Sequence, residues 1–369
     1  MLRNGLTLKC LRKIGTVLTD IYCSRCVPLI AVLIFVAGLS LAQEAIQNQR
    51  TEGTFQQVDT LLKEGKPREA LALLAAIAGK NPNTSGLDKE LGKAYFQARE
   101  VPEAMVHLKA ALQQDPSDPE AMQFLALSFY AEGNYREALP LLEKLGPRLS
   151  KDGPDSSYLL STCYVMTQQI DRARNSLAEM FSVPPDSAMA YLAVAKLLVR
   201  QKMVEAAVPH LETALRLDAR ILMAHFLLGE IDLYQSKSQA AVAEFQKELA
   251  VNPTLWLVHW RLGDAYARLG NYDEAEKHLK EAIWLNDGSS AALVLLGEIA
   301  LKKHDPVLAT GFLERGLALD PQNADAREQL SNAYKALGRE VEANQQIEIS
   351  KKLRTQFHNN ANDVFQTLP

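Results

Sequence analysis

Residues 256–289 read WLVHWRLGDAYARLGNYDEAEKHLKEAIWLNDGS, and the reading of these 34 residues decides the fold. Leu262, Gly263, Tyr266 and Leu269 fall at the three- and four-residue spacing of one helix face. Gly270 and Asn271 interrupt that spacing, and Tyr272, Ala275, Leu279 and Ala282 resume it. The stretch is therefore two helices joined by a tight turn. The 34 residues on either side repeat the pattern, so the unit is an internal repeat.

A 34-residue ruler laid in both directions marks nine units: 51–84, 85–118, 119–152, 154–187, 188–221, 222–255, 256–289, 290–323 and 324–357. Only Gly153 falls between units. The twentieth position of every unit is alanine: Ala70, Ala104, Ala138, Ala173, Ala207, Ala241, Ala275, Ala309 and Ala343. A small residue is required where the two helices of a hairpin approach most closely. Four residues later each unit carries Leu, Phe or Ile, from Leu74 through Phe245 to Ile347. The eighth position is small in every unit except the first, which has Val58.

These columns make the chain resemble the tetratricopeptide repeat family, whose pattern sets Leu-Gly-x-x-Tyr on a first helix and Ala-x-x-x-Phe on a second. The matching residues in the central unit are Leu262, Gly263, Tyr266, Ala275, Leu279 and Ala282. His259 stands where the family often has Trp, and Asp287 where it has Pro. The resemblance implies an all-α right-handed superhelix of nine helix hairpins. A solenoid of this kind packs each repeat only on its neighbours, so length does not count its domains.

The N-terminal 42 residues stand outside the repeat. Arg3, Lys9, Arg12, Lys13 and Arg25 face a single acid, Asp20, and are followed by the uncharged run VPLIAVLIFVAGLSLA, Val27–Ala42. Ser40-Leu41-Ala42 then offers small residues to a signal peptidase, with Gln43 next. Two readings stand: a cleaved signal peptide, or an uncleaved signal anchor whose sixteen apolar residues are short for a span. Both place the repeats outside the cytoplasm, in the periplasm, the extracellular space or at the cell surface. Membrane contact is expected only through an uncleaved leader.

Cys10, Cys23 and Cys26 lie in that leader, which leaves Cys163 alone in the remainder and rules out a disulfide framework. Cys163 is expected to pack as a small hydrophobe. The whole chain carries 40 basic and 44 acidic side chains, net −4, and no basic face of the kind that binds nucleic acid.

Punctuation along the repeats is mostly regular. Pro67, Pro102 and Pro306 open second helices, where a missing N–H costs nothing. Pro140 and Pro209 sit one turn further in and are expected to bend their helices slightly. The run Gly146–Pro154 cannot continue a helix and is read as a break in the array, either a hinge or a longer loop. The array is assigned to 43–357, with 358–369 as a flexible tail.

No phosphate loop, nucleophile elbow, zinc-protease helix or Cys/His cluster at metal spacing occurs, so no catalytic, cofactor or metal residue is assigned. His225 and His259 share the fourth position of adjacent units, and a metal pair between them is weighed against a plainer role at helix contacts.

The family resemblance implies that first helices line the concave side, with positions two, five, nine and twelve directed into it. Carried over, this gives a partner-binding groove of Tyr158, Thr162, Met189, Leu192, Lys196, Met223, Phe226, Glu230, Leu257, Trp260 and Asp264. The family's carboxylate clamp, Lys at position five and Asn at position nine, is missing: Lys89 is followed by Lys93, not Asn, and Asn332 goes with Glu328, not Lys. The sequence therefore points to a non-enzymatic, exported protein-binding scaffold for a peptide or partner-protein segment. The alternative is a structural, self-associating component of an envelope assembly.

Overall fold

A computed structural model describes residues 52–146 and 156–366, with side chains as far as 356. Among these residues the chain is all helix, eighteen in number, with no strand. The described residues fall into two compact units, 52–146 and 156–366. The leader with its apolar run Val27–Ala42, and nearly all of the Gly146–Pro154 break, lie outside the described residues. No described helix is long and apolar enough to cross a membrane.

The first unit holds α1 (52–63), α2 (Pro67–Lys80), α3 (Leu87–Gln97), α4 (Val101–Gln114), α5 (Pro119–Ala131) and α6 (Tyr135–Leu145). The second holds α7 (Ser156–Met166), α8 (Ile170–Met180), α9 (Ala188–Arg200), α10 (Val204–Leu217), α11 (Ala224–Tyr234) and α12 (Ser238–Val251). It continues with α13 (Trp256–Arg268), α14 (Tyr272–Leu285), α15 (Ser290–Lys302), α16 (Pro306–Leu319), α17 (Ala324–Ala336) and α18 (Glu340–Gln366). Pro140 and Pro209 do not stop α6 or α10. The tail expected to fray from His358 instead continues α18 to Gln366.

Odd-numbered helices are first helices and even-numbered ones second helices. Each first helix ends in the same way. The fifteenth residue of every unit has φ between 60° and 77°: Gly65, Arg99, Gly133, Gln168, Lys202, Ser236, Gly270, His304 and Gly338. The next residue returns its N–H to a carbonyl five residues back, as in Asn271 to Tyr266 at 2.9 Å and Gln169 to Tyr164 at 2.7 Å. This is the Schellman closure, which satisfies carbonyls the helix end would leave unpaired. Glycine meets the left-handed requirement without strain; five units impose it on a side-chain-bearing residue.

The hairpin interior explains the sequence columns. All nine alanines at position twenty are completely buried, at 0 % exposure. Position eight of the first helix faces position twenty-four of the second. A Cβ added to Gly92, Gly229, Gly263 or Gly297 would lie 2.5 Å from Leu108, Phe245, Leu279 or Leu313 respectively. The small residue and the large one are thus a single fitted pair, at interior packing density.

Successive first helices touch each other: α3 with α5 in the first unit, and α7 with α9, α9 with α11, α13 with α15 and α15 with α17 in the second. No two successive second helices are comparably packed. The first helices therefore form the inner side of each stack.

Candidate partner-binding face

The expected groove residues do not behave alike. In α7, Thr162 is buried and its hydroxyl donates to the Tyr158 carbonyl at 2.9 Å. Leu192 of α9 is buried. Phe226 of α11 is buried against Phe245, with ring centroids 5.7 Å apart. These three were expected on the groove surface and are instead buried: Thr162, at position nine, turns its hydroxyl back to its own helix, and Phe226, at position five, packs on the second helix of its hairpin. Tyr158 is half-buried beneath the Arg200 guanidinium, 5.5 Å from the ring centroid.

The remaining expected residues do reach the surface. Met189 is 45 % exposed, Lys196 is exposed, and Met223, Leu257 and Trp260 are half-buried. The Arg261 guanidinium lies over the Trp260 ring at 4.2 Å, leaving one face of the indole engaged. Met223 holds an unusual backbone, φ 75°. Its N–H donates to Glu248 Oε1 at 2.7 Å, and the Phe226 N–H donates to Glu248 Oε2 at 3.2 Å. Glu248 is thus a buried carboxylate that caps α11 from the second helix of the same hairpin.

Charges on this face are paired across repeats. Arg261 Nη2 donates to Glu230 Oε2 at 2.6 Å, one unit away, while Arg268 grips Asp264 through Nε at 2.9 Å and Nη2 at 3.1 Å. Burial pushes the Glu230 carboxyl above the usual carboxylate range in spite of Arg261. Burial raises Glu298 too, and the like charges of Asp264 and Asp325 add to the effect. Arg261 and Arg268 escaped the sequence reading because the assumed groove positions skip them. The only available signal was a cation three residues before and four residues after an acid at position nine.

The first unit closes its own face. Lys93, nearly buried, holds Asp59 at 2.9 Å, Glu90 at 3.0 Å and Glu120 at 2.9 Å. Burial works to lower its pKa; hydrogen bonds to Asp59, Glu120 and Glu90 overturn that and hold it above the ordinary lysine range. Lys89 lies 3.1 Å from Asp118 and 3.4 Å from Glu120. Lys89, at the position of a clamp lysine, and Lys93, where the clamp would have Asn, are both spent internally.

His225 and His259 do not pair with each other. His225 Nδ1 meets Glu244 Oε2 at 2.7 Å, and His259 Nδ1 meets His278 Nδ1 at 3.1 Å. Each contact joins position four to position twenty-three within one hairpin. Among the described residues no group of three or more His, Cys, Asp or Glu could hold a metal ion. Cys163 is buried as expected, and burial pushes its thiol up to about 12, far from a reactive thiolate.

Comparison with known proteins agrees with this architecture. Family models of the tetratricopeptide repeat match residues 61–128, 226–292 and 261–324. A model described as anaphase-promoting complex, cyclosome, subunit 3 matches residues 97–180. No curated protein matches the chain. Among solved structures, MamA 41-end from Desulfovibrio magneticus RS-1 is 18% identical, covering 46% of this chain and 97% of that one at TM-score 0.44. YrrB, described as a TPR protein with an unusual peptide-binding site, is 20% identical over 50% of this chain and 94% of its own, at TM-score 0.43. The APC/C hetero-tetramer Cut9-Hcn1 is 18% identical over 76% of this chain and 55% of that chain, at TM-score 0.41. The chain thus carries tetratricopeptide repeats in the stretches these family models match, and the same helix pairing runs through the other described hairpins.

Proposed function

We propose that the protein is a non-enzymatic scaffold whose second unit holds a polypeptide segment along its first helices. The observation that carries this reading is the exposed Met189 with the half-buried apolar side chains Met223, Leu257 and Trp260 on successive first helices or their starts, beside Lys196, Glu230 and Asp264. An exposed apolar track edged by charge is the surface of a binding site. Methionine adapts to several partner shapes, and the indole supplies a large rigid contact.

The test begins with a partner segment recovered on the purified chain and then synthesised as a labelled peptide. Trp260→Ala should weaken its binding by ~2 kcal/mol, and Met189→Asp, at an exposed position, should weaken it without lowering the melting temperature. Affinity unchanged in both variants would overturn the reading.

A second reading, self-association, has its own observation. Val307 and Val341, at position eighteen of successive hairpins, are 69 % and 80 % exposed. Elsewhere that column carries Arg68, Arg136, Asp171, Glu205, Gln239 and Asp273, with Pro102. Light scattering that finds a dimer dispersed by Val341→Glu supports this reading; a monomer at every concentration removes it.

Export is proposed on the basic leader, the apolar run and the Ser40-Leu41-Ala42 motif. A mature N-terminus at Gln43 in material outside the cytoplasm supports cleavage. An intact leader in the membrane fraction supports anchoring, and an intact leader on soluble cytoplasmic protein overturns both.

A further inference from the structure

In several hairpins, position four of the first helix meets position twenty-three of the second through polar atoms. Asp88 meets His107 at 2.8 Å, His225 meets Glu244 at 2.7 Å, and Arg327 meets Gln346 at 2.9 Å. In these three pairs a natural donor faces a natural acceptor. The hairpin of α13 and α14 is different, because both members are imidazoles. His259 Nδ1 and His278 Nδ1 are 3.1 Å apart, and the ring centroids 5.3 Å.

Neighbours orient both rings. His259 Nε2 is 3.2 Å from the Pro253 carbonyl, which can only accept, so Nε2 carries the proton and Nδ1 carries the lone pair. His278 is stacked on Tyr266, with centroids 5.7 Å apart and planes 9° from parallel. The Tyr266 hydroxyl in turn accepts from Gln246 Nε2 at 3.0 Å. A ring whose far nitrogen is held by a carbonyl, and whose near nitrogen turns its lone pair toward the second imidazole, has the supporting contact of a metal-binding histidine. Both rings are half-buried, so the space beside them is reachable from solvent.

We propose that His259 and His278 form a two-histidine clip for a divalent transition ion of the copper(II) or nickel(II) type, bound through the two Nδ1 atoms. With metal–nitrogen bonds of ~2.0–2.1 Å, donors at this separation subtend roughly 100° at the ion. That angle lies about midway between the right angle of tetragonal coordination and the tetrahedral angle, and among divalent first-row ions nitrogen donors bind copper(II) and nickel(II) strongly. No third protein donor converges there, so water completes the coordination.

Capture forms two metal–nitrogen bonds. The proton that His278 shares between the rings is given up to water from Nδ1 and regained at Nε2, so binding to the neutral pair releases none. The charged groups facing His278 are Lys277 and Glu274, paired with each other at 3.5 Å. A bound ion would tie α13 to α14 in the hairpin that presents Trp260 and Asp264, stiffening that part of the partner-binding face.

The experiment uses the full chain freed of any polyhistidine tag, titrated with copper(II) and followed by electron paramagnetic resonance and thermal melting. The first equivalent should give a tetragonal signal split by two nitrogens and should raise the melting temperature. His259→Gln and His278→Gln should each weaken that equivalent at least ~10-fold and abolish the thermal shift, while His225→Gln leaves both unchanged. A first equivalent equally tight in His259→Gln, or a signal from a single nitrogen, would overturn the proposal and assign the contact to an imidazole–imidazole hydrogen bond. Circular dichroism checks that the variants are folded; if His278→Gln is not, His259→Gln, in the first turn of α13, decides alone.

Discussion

The inner faces of the two units are built from the same first-helix positions and end in opposite states. In the first unit, Lys93 and Lys89 are surrounded by Asp59, Glu90, Asp118 and Glu120, and the face consumes its own charges. In the second, Met189 and Lys196 stand open, Trp260 is half open, and Glu298 carries a carboxylate raised by burial and by like charges. A face that satisfies itself has little to offer a partner. The contrast gives the first face a part in holding its own stack together and leaves the second as the face proposed for recognition.

The largest test of this contrast is Lys93→Met. It leaves the buried Glu90 carboxylate without its cation and should cost ~3 kcal/mol of stability, whereas Lys196→Met, at an exposed position, should fall within ~0.5 kcal/mol. Urea denaturation of the two variants measures both. Equal losses would erase the distinction.

Acid should act on the second unit through His278. Its folded pKa, about 4, lies below the ordinary 6.5, so the unfolded chain binds the proton more readily. Stability is full above pH 6.5 and is lost as pH falls toward 4, with a slope of at most ~1.4 kcal/mol per pH unit. His278→Gln should flatten the melting temperature over that window; an unchanged slope would place the effect elsewhere.

The turns offer a smaller lever. Lys202→Gly relieves a left-handed backbone at φ 60° and should raise stability by up to ~1 kcal/mol, while Gly133→Ala in the first unit, at φ 73°, should lower it by a similar amount. Smallest of all, Glu298→Gln removes a charge that burial and its neighbours disfavour. It should stabilise the protein by roughly 0.5 kcal/mol at pH 7, and that gain should vanish below the carboxylate range.

Much of the hairpin interior was legible from residue types alone. Ala275 beneath a helix crossing, or Gly263 opposite Leu279, is dictated by a distance of closest approach that recurs identically in each unit. The partner-facing residues were legible only in part. Of the residues expected along the groove, Lys196 is exposed and Trp260 half-buried, but Leu192 and Phe226, at the same repeat position as Trp260, are enclosed. The left-handed turn was visible where glycine marks it, as at Gly270, and hidden at Gln168, Lys202 and His304.

Periodicity along one chain thus established that paired helices would stack, where each pair would begin and which small side chain would face which large one. These are properties of a single hairpin, set by residues close in sequence. Folding in three dimensions settled which inner-face side chains stay open, which charges cancel across repeats and which imidazole meets which. Those outcomes depend on side-chain volumes and charges some 19 to 34 residues away, as His259 with His278 and Lys93 with Asp59 illustrate, and no local repeat pattern encodes them.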